Sequence, residues 1–105
     1  MVNRGDVWLV YLDPTIGSEI QKIRPCLLIS PPEMHDHLRT VIAAPMNTGS
    51  RPAGFRVALR FQDKDGLVLL DQIRTIDKQR LVKKLGQVSS ATLNTILAKL
   101  RMVFE

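Results

Sequence analysis

The spacing of the apolar runs limits this fold more than any other feature of the chain. Up to residue 75 they are short, rich in β-forming side chains, and each is cut off by proline, glycine or aspartate before a helix could complete. Residues 6–12 read as a first strand closed by Asp13-Pro14, and residues 15–23, with Gly17 inside, as an open loop. Residues 26–30 form a second strand, stopped by Pro31-Pro32, and residues 32–36 open a single helical turn with proline at its start. Residues 40–45 are a third strand and residues 46–54 a loop. Residues 55–59 are a fourth strand, residues 63–66 a turn, and residues 67–70 start a fifth strand running towards Thr75. A short helical turn is expected within residues 77–84.

A long helix comes only at the end. Ser89 or Ser90 offers an N-cap oxygen, and Leu93, Ile96, Leu97, Leu100, Val103 and Phe104 fall on one helical face. Lys99 and Arg101 suit the negative end of the helix dipole. A run of short strands before one covering helix predicts a mostly β, α+β architecture: a small barrel or a strongly bent sheet of about five to seven strands. At 105 residues one domain, 1–105, is expected. Trp8 could stack a base, but inside the first strand it reads rather as core or as a surface for a second copy.

The rest of the composition narrows the function classes. No apolar run approaches the roughly 18 residues that span a bilayer, and the first residues lack the apolar stretch of a signal peptide. The single cysteine, Cys26, makes no internal disulfide, which fits a reducing cytoplasm. Ligand spacing for a metal cluster is absent, so no cofactor is expected. Charge is uneven: the first fifty residues carry four Lys/Arg and five Asp/Glu, the remainder eleven and five, for a net +5. Nine of the cations are arginine, whose planar fork suits phosphate. Such a balance fits a nucleic-acid partner, or simple solubility.

Gly5-Asp6-Val7-Trp8, residues 13–19 (DPTIGSE), Arg24-Pro25, residues 45–48 (PMNT), Gly54-Phe55 and residues 71–77 (DQIRTID) follow one another in the order of a known signature. With these motifs the chain resembles the MazF/PemK family of toxin endoribonucleases over nearly its whole length. The resemblance implies an SH3-like barrel of the CcdB/PemK type, a homodimer, and cleavage of single-stranded RNA at a short preferred sequence without a metal ion. It also implies a co-expressed antitoxin whose flexible acidic tail lies along the active-site groove.

Metal-free RNA cleavage uses the substrate's own 2′-hydroxyl. It needs a base for that hydroxyl, a cation or donor for the developing phosphorane charge, and an acid for the leaving oxygen. The resemblance places the catalytic arginine at Arg24 and the catalytic threonine at Thr48. Read from the residues alone, Arg24 could equally clamp the loop through Asp13 or Glu19, and Thr48 could be an ordinary turn residue. Glu19 could orient Arg24, serve as a base, or be a solvated carboxylate. A histidine of one family branch is replaced here by Ser18, which removes one candidate base. Asp71 is matched too, but the arginine that acts with it in that branch is Leu69 here. Arg74 could substitute for it, but strand alternation puts Arg74 on the opposite face from Asp71 unless the strand bends, so Asp71 is either a second catalytic candidate or a structural residue.

Arg51, Arg56, Lys64, Arg74, Lys78, Arg80, Lys83 and Lys84 could all line a phosphate groove. Of these, Arg51, Arg56 and Arg74, with Ser18 and Asn47, are near matched loops and are the RNA-binding candidates. His35 and His37 read as surface turn residues. Two other classes compete with RNA cleavage: a protein-binding toxin that poisons gyrase on a related barrel, and a catalytically silent RNA-binding module.

Overall fold

The computed structural model describes residues 2–14, 16–19, 22–49 and 51–105. Thr15, Ile20 and Gln21 of the expected open loop, and Ser50 of the loop after the third strand, lie outside the described residues. Seven strands and two helices are present among those described: β1 (Asp6–Tyr11), β2 (Ile23–Leu28), α1 (Pro32–His37), β3 (Thr40–Asn47), β4 (Arg56–Phe61), β5 (Lys64–Leu69), β6 (Arg74–Asp77), β7 (Leu81–Gln87) and α2 (Ser90–Val103).

The strands form one antiparallel sheet in the order β4-β5-β3-β2-β1-β7, with β6 also on β3. β3 is its hub. Residues 43–45 pair with β2, residues 40–43 with β6, and Met46 and Asn47 with Val68 and Leu67 of β5. β5 and β6 therefore serve different stretches of one strand. The 3₁₀ turn Leu70–Gln72 makes the corner between them, where the sheet bends. The straight fifth strand expected towards Thr75 is thus two strands.

Side chains alternate strictly along the hub, and both faces are buried. On one face Leu27, Ala44 and Met46 join Val7, Val68 and Ile96, the residue of α2 that reaches furthest in. Cys26, Leu28, Val41 and Ala43 join Val10, Leu12 and Ile76 on the other. Two buried faces explain why the sequence here reads as continuous apolar runs rather than as an apolar–polar alternation. α2 starts at the Ser89 cap, whose Oγ accepts from Thr92 N at 3.1 Å. Its apolar face stops short of expectation: Leu93, Leu97 and Leu100 are half-buried, but Val103 and Phe104 are 39% and 72% exposed.

Other boundaries also differ. The hairpin turn lies at Gln62-Asp63, both at positive φ (50° and 63°), rather than at 63–66. In the expected helical turn of residues 77–84 only Lys78–Arg80 is coiled, with Asp77 accepting from Gln79 N at 2.8 Å. The rest of that segment opens β7, an edge strand carrying Lys83 and Lys84. Trp8 is half-buried and packs on the second core. Its Nε1 donates to the fully buried Asp6 carboxylate, which also accepts from Asn3 N and Gln87 Nε2 and lies 3.4 Å from Lys84 Nζ. That network ties the chain's start to β7.

Candidate active site

The β1–β2 loop is held by its own backbone and two carboxylates. Asp13 accepts from Lys22 N at 2.9 Å, while Leu12 N donates to Lys22 O at 2.8 Å. These bonds hold Lys22 at φ 66°, a left-handed conformation uncommon outside glycine. A Glu19 carboxylate oxygen accepts from Ile16 N and closes the turn beside it. The chain then enters β2 with Arg24 opposite Val10.

Arg24 is exposed. Its one side-chain bond among the described residues is a long one, 3.4 Å to the carbonyl of Ile23, and it has no ion pair there. The loop clamp through Asp13 or Glu19 is therefore not what this guanidinium does in the structure. Across the groove, β3 ends at Asn47 and presents Thr48 to solvent. Gly66 of β5 sets that placement. A Cβ there would lie 3.1 Å from Asn47 O and 3.9 Å from Thr48 Cγ2, so only glycine lets β5 approach so closely.

An open groove of about 780 Å³ results. Glu19, Lys22 and Arg24 form one side, Asn47, Thr48 and Gly49 lie along it, and Lys64 from the β4–β5 hairpin stands opposite. Three cations face a hydroxyl and one carboxylate. Such a groove can hold a phosphate chain, and an exposed guanidinium beside a hydroxyl can stabilise charge developing on phosphorus.

Four of the nine sequence candidates line this groove: Glu19, Arg24, Asn47 and Thr48. Ser18 is exposed in the adjoining turn. The rest lie elsewhere. Asp71 is gripped by Arg56 through two bonds, Nε–Oδ1 at 3.1 Å and Nη2–Oδ2 at 2.9 Å, and the Arg56 hydrogen bond holds its carboxyl below the usual carboxylate range. Arg56 also lies 5.8 Å from the Phe55 ring centroid and reaches the carbonyl of Arg51, which is itself exposed. This cluster borders a separate hollow with Lys99, Met102 and Val103 at the end of α2. Arg74 is half-buried and donates to Leu12 O at 3.2 Å.

Lys22 and Lys64 are the groove cations that sequence reasoning did not select. Lys22 was within reach, since it lies two residues before Arg24 in the same loop-to-strand junction. Lys64 arrives through the β3–β5 pairing, a contact between segments far apart in sequence. The histidines also differ from expectation: His37 is exposed, but His35 is buried, 2.7 Å from Ser30 Oγ. Burial pushes its imidazole pKa down, and Lys78 adds to the effect. Burial likewise pushes the Cys26 thiol up to about 12, against the opposing field of Arg74, which leaves it an inert core residue. Among the described residues no three His, Cys, Asp or Glu side chains gather as metal ligands, and no helix is long and apolar enough to cross a membrane.

Fold and groove together define a small bent-sheet β protein with a C-terminal helix and a cation-lined groove. A family model described as PemK-like, MazF-like toxin of type II toxin–antitoxin system matches residues 3–104, and the chain belongs to that family. It is 38% identical to the endoribonuclease PemK of Escherichia coli, covering 97% of this chain and 81% of that protein. With the endoribonuclease MazF of Staphylococcus epidermidis it shares 37% identity, over 87% of this chain and 81% of that one. Among solved structures, an endoribonuclease in complex with its cognate antitoxin from a mycobacterial species superposes with a TM-score of 0.83. That match has 28% identity and covers 99% of this chain and 95% of the other.

Proposed function

We propose that this protein is the toxin of a type II toxin–antitoxin pair and an endoribonuclease that cuts single-stranded messenger RNA in the cytoplasm. The observation that carries the reading is the exposed guanidinium of Arg24, without an ion pair among the described residues, in one groove with Thr48. The relatives named as endoribonucleases match almost the whole chain, which supports it.

In this reading RNA lies along the groove with its phosphates towards Lys22, Arg24 and Lys64. The 2′-hydroxyl of one nucleotide attacks the adjacent phosphorus, and the 5′-oxygen of the next nucleotide leaves and takes a proton from water. The products are a 2′,3′-cyclic phosphate and a 5′-hydroxyl. Arg24 binds the non-bridging oxygens as charge grows on them. A guanidinium keeps its proton, which suits it for that role and not for removing one. Thr48 donates a further hydrogen bond to the phosphate. Glu19 is the carboxylate of the groove, placed either to accept the 2′ proton or to orient Arg24. Asp71 has no assigned step, because Arg56 occupies its carboxylate in a separate hollow.

The same three cations suit the acidic tail of an antitoxin, which would block the groove by lying where RNA lies. The family reading adds a homodimer. The test uses purified, antitoxin-free protein, a long unstructured RNA and EDTA, with cut ends mapped by sequencing. Cuts at one short sequence with cyclic-phosphate and 5′-hydroxyl ends are expected. Intact RNA from a folded sample would overturn the reading and favour a toxin that binds protein instead.

A further inference from the structure

A second hollow continues the groove beyond Thr48. It holds about 260 Å³ and shares Pro25, Met46, Asn47, Thr48 and Lys64 with the Arg24 groove. Its remaining walls are mainly apolar: Leu59 and Phe61 of β4, and Leu85 of β7. Two local features hold it open between the hairpin and the edge strand. A Cβ on Gly86 would lie 3.0 Å from Phe61 Cζ, so the missing side chain gives the phenyl ring its seat on β7. Just past it, at the left-handed turn residue Gln62, the side-chain Nε2 donates to Leu85 O at 2.9 Å and pins the hairpin tip across the gap.

A charged backbone next to an apolar slot is what a single-stranded nucleic acid requires. Its phosphates want cations, and its unstacked bases want an apolar or aromatic surface with polar groups at the edge. The volume is below the roughly 300 Å³ at which clefts for drug-sized ligands begin, which suits one base rather than a larger ligand. Polar groups stand around it in the same way: the Gln62 amide, one N–H of which is committed to Leu85, with Asp65 and Lys64 on the hairpin.

We propose that this hollow is a nucleobase pocket. It takes one base, next to the cleaved phosphate, of the RNA strand that Arg24 holds, and Phe61 and Gln62 thereby set the sequence preference at that position. The proposal rests on the endoribonuclease reading and adds to it the residues that choose where the chain is cut.

The test is a substrate–protein double-mutant cycle. Short RNAs containing the cleaved sequence carry an abasic nucleotide at one flanking position at a time. They are cut by the full-length wild type and by two variants, Phe61→Leu, which stays apolar but loses the ring, and Gln62→Ala, which frees the exposed hairpin tip. In the wild type, one flanking position should lose about ten- to a hundredfold in kcat/KM when its base is removed, the scale of base–aromatic stacking. In either variant that loss should shrink below threefold at that position only, with losses elsewhere unchanged. Thermal melting confirms that each variant is folded, and the exposed Gln62 gives a readout should Phe61→Leu fail to fold. If the wild type cuts RNA but every abasic loss is the same in all three proteins, the pocket proposal alone is overturned. If the wild type cuts no RNA, the pocket falls together with the endoribonuclease reading.

Discussion

Replacing Gly66 by alanine should damage the groove through a single close approach. Gly66 lies in β5 opposite Leu59, and its φ is not in the left-handed region, so alanine meets no backbone penalty there. The obstacle is space. The added Cβ would sit 3.1 Å from Asn47 O, about 0.3 Å inside the 3.4 Å of ordinary contact, with the Asn47 carbonyl carbon at 3.7 Å. Asn47 and Thr48 must then move away from β5 by a few tenths of an ångström.

Overpacking of this kind costs about 1–3 kcal/mol, and the stiffer unfolded chain of an alanine variant returns about 0.4–1 kcal/mol. A net loss of about 1–2 kcal/mol lowers the melting temperature of a domain this size by roughly 5–15 °C. Catalysis should suffer separately. A 1 Å misplacement of reacting groups costs about a hundredfold, so a shift of about 0.3 Å at Thr48 should lower kcat about fourfold. KM should change little, since Lys22, Arg24 and Lys64 are untouched. The assay is steady-state cleavage of a short RNA well below the melting temperature, with a thermal melt of the same sample. A lower melting temperature with wild-type kcat would show that Gly66 only fills space and does not position Thr48. Wild-type values for both would refute the close approach itself.

Two further outcomes follow from groups outside the reacting centre. The buried His35 has a folded pKa below its ordinary 6.5, so the unfolded chain takes up a proton that the folded chain resists. Its contribution to stability is complete above about pH 6.5 and drains away as pH falls through that value towards the folded pKa. His35→Gln, which keeps an amide for Ser30 Oγ, should therefore lose less melting temperature than the wild type between pH 7 and pH 5; parallel profiles would contradict this. In the groove, Lys64→Gln should flatten the salt dependence of binding to a 2′-deoxy, uncleavable strand by about 0.7 in the log–log slope if Lys64 neutralises one phosphate. An unchanged slope would remove Lys64 from the RNA path.

The parts of the fold that were legible in sequence are those whose strands are buried on both faces. β1, β3 and the Cys26–Leu28 part of β2 read as apolar runs because two cores draw on alternate residues of the same strands, whereas the start of β2, with Arg24 and Pro25, does not read as strand. β7 is an edge strand whose middle residues, Val82, Lys83 and Lys84, are all exposed, so no apolar period marks it and its first half reads as a helical turn. The β4–β5 turn is displaced for a related reason. Its two left-handed positions hold Gln62 and Asp63 rather than an Asn-Gly pair, and the nearby Gly66 draws the eye instead.

The site divides along similar lines. That Arg24 and Thr48 would be candidates on one groove was legible because each lies in a local motif beside the element that holds it. Lys64 was not, because the register of β5 on β3 brings it across the groove. Asp71 shows the opposite case. Residues 71–77 match the signature, yet the corner turn Leu70–Gln72 and the Arg56 side chain hold Asp71 in the hollow by α2.

The account rests on the Arg24 guanidinium acting on RNA phosphate from a position the fold does not need. The direct measurement is single-turnover cleavage by Arg24→Ala and wild type side by side, in EDTA, with thermal melts of both. The loss of an oxyanion-stabilising donor should slow cleavage by about a hundred- to a thousandfold. The melting temperature should stay within about 2 °C, as expected for removal of an exposed side chain whose one bond among the described residues is long. Cleavage by Arg24→Ala at the wild-type rate, with the same ends, would contradict the account.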